Sequence, residues 1–150
     1  MNVDPQPAPD PRLRRLEPGM SLTIDVDPRA LYVPTGLVLG AGERYRLTAD
    51  GKWRDGFVTC GPEGWGRGWP TRFNRLPGQP FFLLCGCPGR NDQHAFAVGT
   101  ARDWEVPDAA DPDGLALYLF ANDWRWMYWN NRALTAQRGG PLRVTITRLP

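Results

Sequence analysis

The chain has 150 residues, 18 basic and 16 acidic, for a formal charge of +2 and a mean hydropathy of −0.46. That length suits one domain with a sizeable core, and the small excess of charge, 17 Arg and one Lys spread along the whole chain, forms no basic stripe suited to nucleic acid. One serine (Ser21), one histidine (His94) and one lysine (Lys52) stand in no triad, nucleophile-elbow or Walker pattern, so the usual hydrolase and nucleotide-binding machineries are excluded and the chain does not read as an enzyme.

Residues 1–19 hold Pro5, Pro7, Pro9, Pro11 and Pro18 among few apolar residues. Such a segment buries too little to offset its ordering entropy, and it is expected to be an extended or disordered tail before a single domain over 20–150. The start lacks the basic-then-apolar pattern of a secretory signal, and no apolar run reaches 18 residues, so the expectation is a cytoplasmic protein without membrane insertion. From Ser21 to Val26, Leu22, Ile24 and Val26 alternate onto one face; Arg44 to Ala49 does the same after the Gly40-Ala41-Gly42 turn. The glycine-rich Gly61–Gly68 stretch matches no phosphate-binding fingerprint and reads as a tight surface loop. Phe81 to Cys85 is apolar on both faces, as an interior strand must be, and Leu115 to Phe120 is a second such run. Cys85 and Cys87 point to the same face of a strand and lack a zinc knuckle's turn, so with Cys60 they read as buried thiols in a reducing compartment. Leu142 to Arg148 closes the chain as another alternating strand. Seven to nine short strands without a sustained helical period predict an all-β fold, an antiparallel two-sheet jelly-roll β-sandwich with little helix, with Trp53, Trp104 and Phe96 filling the space between the sheets.

The densest chemistry lies between the last two strands, from Asn122 to Asn131. Asp123, Asn130 and Asn131 offer carboxylate and amide oxygens, and the loop adds backbone carbonyls; calcium takes six to eight such hard ligands. Neighbours in a regular strand face opposite ways, so Asn130 and Asn131 share one ion only where the backbone kinks. Trp124 and Trp126 stand beside these groups, where they either stack on a sugar's apolar face or lie partly covered by the segment that follows. Trp129 reads as core. The plainer alternative for the polar residues is an Asx turn capping backbone groups.

These residues also carry a resemblance. The chain resembles the small calcium-dependent galactose-binding bacterial lectins of the galactophilic PA-I type and their wider relatives, from about Val33 to Arg148. The matching blocks are Thr35-Gly36, Gly42-Glu43-Arg44-Tyr45, Ala49 to Gly56, Cys60 to Gly64, Leu84 to Gly89, Phe96 to Gly99, Trp104 to Pro107, Gly114-Leu115, Phe120 to Asp123, Tyr128 to Asn131 and Val144 to Ile146. The resemblance implies a galactose-binding-domain-like sandwich holding a calcium ion through Asp123, Asn130, Asn131 and the carbonyls of Met127 and Asp55. A carbohydrate would complete the shell, with Trp124, Trp126, Asp123 and Asn130 as its contacts, in a non-catalytic homo-oligomer.

The chain departs from the family's pattern in four places. Arg132 to Gly140 is an insertion where the family usually has Ser-Gly, able to act as a lid, to contact a partner or to displace Asn131. Gly68 to Arg72 stands where the galactose lectins carry His-Pro-x-x-Gln, so galactose specificity does not transfer. Trp124, Arg125 and Trp126 replace smaller residues, and Asp55 brings a carboxylate where the family uses only a carbonyl. Two other readings remain open: a protein-interaction sandwich using Trp124, Trp126 and the 132–140 insertion with a vestigial or absent metal, and a glycoside-processing enzyme with Asp55 and Asp123 as its carboxylate pair.

Overall fold

The computed structural model describes residues 13–108 and 115–150. Along these the chain forms β1 (Ser21–Val26), β2 (Val33–Leu39), β3 (Arg44–Asp50), β4 (Trp53–Asp55), β5 (Val58–Cys60), β6 (Glu63–Trp65), β7 (Phe81–Pro88), β8 (Phe96–Ala97), β9 (Ala101–Glu105), β10 (Leu115–Ala121), β11 (Asn131–Ala133) and β12 (Leu142–Arg148). Among the described residues helix is limited to short 3-10 turns, none long and apolar enough to cross a membrane.

One antiparallel sheet has the order β1-β12-β3-β9, and a second has β2-β10-β7-β6 with β8 against β7. Period-two alternation sends Leu22, Val26, Tyr45, Leu47, Leu142, Val144 and Ile146 of the first sheet inward. There they meet Leu37, Leu39, Phe82, Leu84, Leu117 and Leu119 of the second, forming the main core of a β-sandwich. The outer face of the first sheet is closed by cross-strand polar pairs: Ser21 with Thr147 at 2.7 Å, Arg143 with Asp25 at 2.9 Å and Arg46 with Asp103 at 2.8 Å. Trp53 and Trp104 are core residues as expected, and Phe96 stacks on Trp104 with ring centroids 4.3 Å apart.

β7 is apolar on both faces because it is covered on both. Its residues Leu83, Cys85 and Cys87 join Phe120 in a second small core beneath Tyr32, Leu76, Ala97 and Tyr118. Burial pushes the Cys85 and Cys87 thiols up, and burial beside Glu63 and Asp55 pushes Cys60 up to about 12. Since only the thiolate is nucleophilic, a native thiol titration at pH 8 with an aromatic disulfide reagent should show no rapid reaction, and the denatured chain should react at all three sulfurs; fast labelling of the folded protein would contradict this packing.

One expectation is revised. Gly61–Gly68 is not all surface loop, because Glu63–Trp65 adds an edge strand to β7, with Glu63 opposite Leu83 and Trp65 opposite Phe81. Gly64 sits at φ 75°, where an added Cβ would collide with the Phe81 carbonyl, which is why that position takes glycine. Of the 1–19 segment, residues 1–12 lie outside the described residues. The remainder is extended and docked: Arg14 N–H donates to the Gly36 carbonyl at 2.8 Å, Val38 N–H donates to that of Arg14 at 3.0 Å, and Leu16 is fully buried. One well-placed leucine thus anchors the end of a proline-rich stretch whose average composition argues against order.

Candidate functional site

A small third sheet, β11-β4-β5, lies off the main path and carries the site. β10 ends at Ala121, and Asn122 turns the chain. Its Nδ2 donates to the carbonyls of Leu76, Gln79 and Pro80 at 3.1, 3.3 and 3.1 Å, while its Oδ1 accepts from Leu76 N–H at 2.8 Å. Asn122 is therefore a staple between β10 and the 74–80 loop, a role the sequence pattern did not reveal.

Beyond it, Met127 N–H closes a turn onto the Trp124 carbonyl at 3.0 Å, and Tyr128–Asn130 is a single 3-10 turn. Asn131 then enters β11 with φ −80° and ψ 145°. The change from 3-10 to extended backbone between Asn130 and Asn131 is the kink that adjacent side chains need to face a common point. β11 pairs with β4 in a register that sets Asn131 opposite Asp55, and Gly56 N–H donates to the Asn130 carbonyl at 3.2 Å. Asp55, Asp123, Met127 and Asn130 consequently line one hollow of about 270 Å³, walled by Trp65, Phe81 and Trp124.

Unmet hydrogen-bonding capacity is concentrated at this spot. Of the five buried side-chain polar atoms without a partner among the described residues, three are Asp123 Oδ2, Asn130 Oδ1 and Asn131 Oδ1. A buried acceptor left without a donor costs about 1–3 kcal/mol, so three close together in one loop are hard to sustain unless something electropositive meets them. The rest of each group is held: Asp123 Oδ1 accepts from Trp124 N–H at 2.8 Å, and Asn131 Nδ2 donates to the Pro28 carbonyl at 2.8 Å, fixing which end of that amide stays free. Burial, then the charge of Asp55, raises Asp123 to about 7 against the opposing influence of Trp124 N–H and, less, of the nearby Asn131 amide. Burial also raises Asp55, partly offset by Trp65 Nε1–H, which donates to its Oδ2 at 3.2 Å. Two carboxyls held above their ordinary values are a strained pair that a cation would relieve. No cluster of three or more His, Cys, Asp or Glu occurs among the described residues; the donor set is one of amides and carbonyls with two carboxylates, hard oxygen chemistry suited to calcium and unsuited to zinc.

The tryptophans divide. Trp124 is half-buried at the wall of the hollow, with Nε1–H donated to the Pro70 carbonyl at 2.9 Å and its ring against Phe73, Phe81 and Trp126. Trp126 is 62% exposed, outside the lining and stacked at a tilt on Trp124. Trp129, expected in the core, is instead 69% exposed. In a turn of three residues only Tyr128 can point inward, and Trp129 is carried to the opposite side. The 132–140 insertion does not line the hollow: it extends β11 along β4 and then forms a 3-10 turn at Ala136–Arg138.

A second missed feature braces the loop from behind. Arg75, its side chain 1% exposed, donates from Nε and Nη2 to Asp92 at 3.0 Å each, and from Nη1 to the Leu31 carbonyl at 2.6 Å and the Tyr128 hydroxyl at 2.9 Å. Its guanidinium lies 3.6 Å from the Phe120 ring centroid, and the Tyr128 hydroxyl donates a hydrogen bond to the Ala121 carbonyl. Arg75 N–H also donates to the Asp123 carbonyl at 3.1 Å, so one buried residue ties both ends of the site loop to the sandwich.

No family model matches the chain, and no curated protein does. A solved structure does: the chain is similar to one described as the EclA N-terminal domain, a PllA-like lectin. The identity is 28% and the TM-score 0.55, over 85% of this chain and 94% of that one. The protein is thus lectin-like in its fold.

Proposed function

We propose that the protein is a non-catalytic, calcium-dependent carbohydrate-binding protein. In this reading Asp123, Asn130 and Asn131 hold the ion with the carbonyls of Met127 and Asp55, and two sugar hydroxyls complete the shell. The ion, when bound, supplies a hard electrophilic centre for vicinal hydroxyls; the chain's own contribution is to hold the amide oxygens in place and to offer Trp124 to an apolar sugar face. The observation that carries the reading is the trio of buried, partnerless oxygens on Asp123, Asn130 and Asn131, of which Asp123 and Asn130 line one hollow and Asn131 stands next to Asn130 in the chain. The lectin-like likeness supports the same class of ligand.

The test is a glycan array probed with wild type in millimolar calcium and in chelator, with calorimetry on the best hit. Binding should require calcium, and Asn130→Ala, which removes one ligand, should weaken calcium about tenfold or more. Trp124→Ala should weaken the glycan while leaving calcium affinity in place. Chelated protein that bound the same glycans equally well would overturn the metal-dependent reading.

A further inference from the structure

On the other side of the site rim, the small sheet builds a basic hollow. Arg54 on β4 and Arg132 on β11 are direct cross-strand partners, and Arg138 joins them from the turn at Ala136–Arg138. Like charges placed opposite each other on a sheet destabilise it. Among the described residues no acid compensates: six other arginines have a carboxylate within 4.0 Å there, whereas Arg54, Arg132 and Arg138 have none.

Two of the three are nevertheless held in place. Arg54 Nε–H donates to the Gly56 carbonyl at 2.7 Å, and Arg132 Nη1 donates to the carbonyls of Trp129 and Asn131 at 3.1 and 3.0 Å. Each guanidinium has five N–H donors, so these bonds orient the groups and leave several donors for a ligand. The hollow they line is about 520 Å³ and contains no acidic side chain. It adjoins a smaller one, of about 390 Å³, bounded by Arg54, Arg132, Trp129, Phe57, Gly56 and Asn130. Gly56, Phe57 and Asn130 in turn line the hollow of the proposed calcium site. Phe57 and Trp129 are 96% and 69% exposed, two bare rings on the path between a hydroxyl-binding centre and a cluster of unpaired guanidinium groups.

We infer that this surface is a second subsite, which takes a carboxylate or sulfate substituent of an oligosaccharide whose neighbouring ring is held at the 123–131 site. The inference rests on the carbohydrate reading above and adds the ligand's chemical class: an acidic glycan of at least two sugars, with the intervening ring against Trp129 or Phe57. Planar guanidinium groups match carboxylate and sulfate oxygens in pairs, and rings that interleave with them suit the apolar faces of pyranoses. The 132–140 insertion, which supplies Arg132 and Arg138, then serves to select acidic glycans.

The experiment compares neutral, uronic-acid and sulfated oligosaccharides of matched length on one array, in calcium and in chelator, with inorganic sulfate as a competitor. Wild type is set against Arg54→Gln/Arg132→Gln and, because Arg138 touches no group of the calcium site, against Arg138→Gln alone; the calcium-induced rise in Tm reports that the metal site is intact in each. Expected are calcium-dependent signals favouring acidic glycans, lost about tenfold or more in the double variant and partly in Arg138→Gln, and weakened by added salt. Calcium-dependent binding of neutral glycans alone, unchanged by these substitutions, would overturn the acidic subsite and leave the calcium reading standing. Acidic binding that ignored calcium but needed the arginines would overturn the shared ligand, as would inorganic sulfate binding as tightly as any glycan. No glycan binding under any condition would overturn both.

Discussion

Asp123→Asn should melt higher than wild type in calcium-free buffer at pH 8 and lose the response to calcium. The wild-type carboxyl is 2% exposed, has one partnerless oxygen and is raised to about 7, chiefly by burial and then by Asp55. A group whose folded value lies above its unfolded value of roughly 4 binds more protons folded than unfolded between those limits. Metal-free stability should therefore fall as pH rises from about 4 to about 7 and then level off, by on the order of 3 kcal/mol. Asp55, shifted in the same direction, deepens the fall. Asparagine fits the same space without the charge, removes this pH dependence and should recover most of that loss, roughly 6–12 °C in Tm for a chain of this size. In the proposed site calcium would supply the missing compensation: at a hundredfold excess over its Kd it stabilises by about 2.7 kcal/mol at pH 8, and the fall in stability between pH 4 and 7 should become shallower because the ion competes with the proton. Thermal melts of both proteins from pH 4 to 8, with calcium and with chelator, check the set. A wild type insensitive to calcium at every pH would refute the assignment of this carboxylate.

The strands of this fold were legible wherever burial is one-sided. Ser21–Val26, Arg44–Ala49 and Leu142–Arg148 alternate because one face meets the core, and the structure pairs β1 and β3 on either side of β12. Phe81–Cys85 could be read as interior because both its faces are apolar. Short edge elements were not legible: Glu63–Trp65 is three residues set among glycines, and its strand conformation comes from pairing with β7 rather than from its own pattern. The oxygen-bearing side chains of the site were visible because their chemistry is local to one loop, and Asp55 entered through family resemblance. The packing around them was not. Whether Trp129 faces in or out depends on a single 3-10 turn, and the burial of Arg75 depends on meeting Asp92 and Tyr128, which lie 17 and 53 positions away. A charge chosen by tertiary partners leaves no periodic trace in the chain, as Leu16 leaves none among the prolines.

Arg75→Met should be the most damaging single substitution outside the main core, and its effects should reach the proposed calcium site. Burial alone would raise Asp92, but hydrogen bonds from Arg75 and Tyr32 outweigh it and hold the carboxyl at about 2. Removing one member of a buried ion pair leaves its partner uncompensated and costs about 3–5 kcal/mol; here the exposed Arg125, 2.9 Å from Asp92, softens the loss without replacing the bonds to Leu31 and Tyr128. A Tm lower by roughly 10 °C is expected. The pH dependence carries the signature of the pair. Because the folded value of Asp92 is depressed, its contribution is complete above about pH 4 and is lost as pH falls toward 2, so wild type should weaken steeply over that interval and Arg75→Met much less. Asp92→Asn placed on the Met variant should then cost less than it does in wild type, the coupling expected of groups in direct contact. Since Arg75 also grips Tyr128 and, through its own N–H, the Asp123 carbonyl, the variant frees both ends of the 122–131 loop. Calcium affinity at pH 7 should accordingly fall although no ligand has been altered, and calorimetry separates this from simple instability when performed well below the variant's Tm. A variant that melted low yet bound calcium with wild-type affinity would mean that β4 and β11 alone hold the ligands in place, and that the Arg75 network only joins the sandwich to its loops.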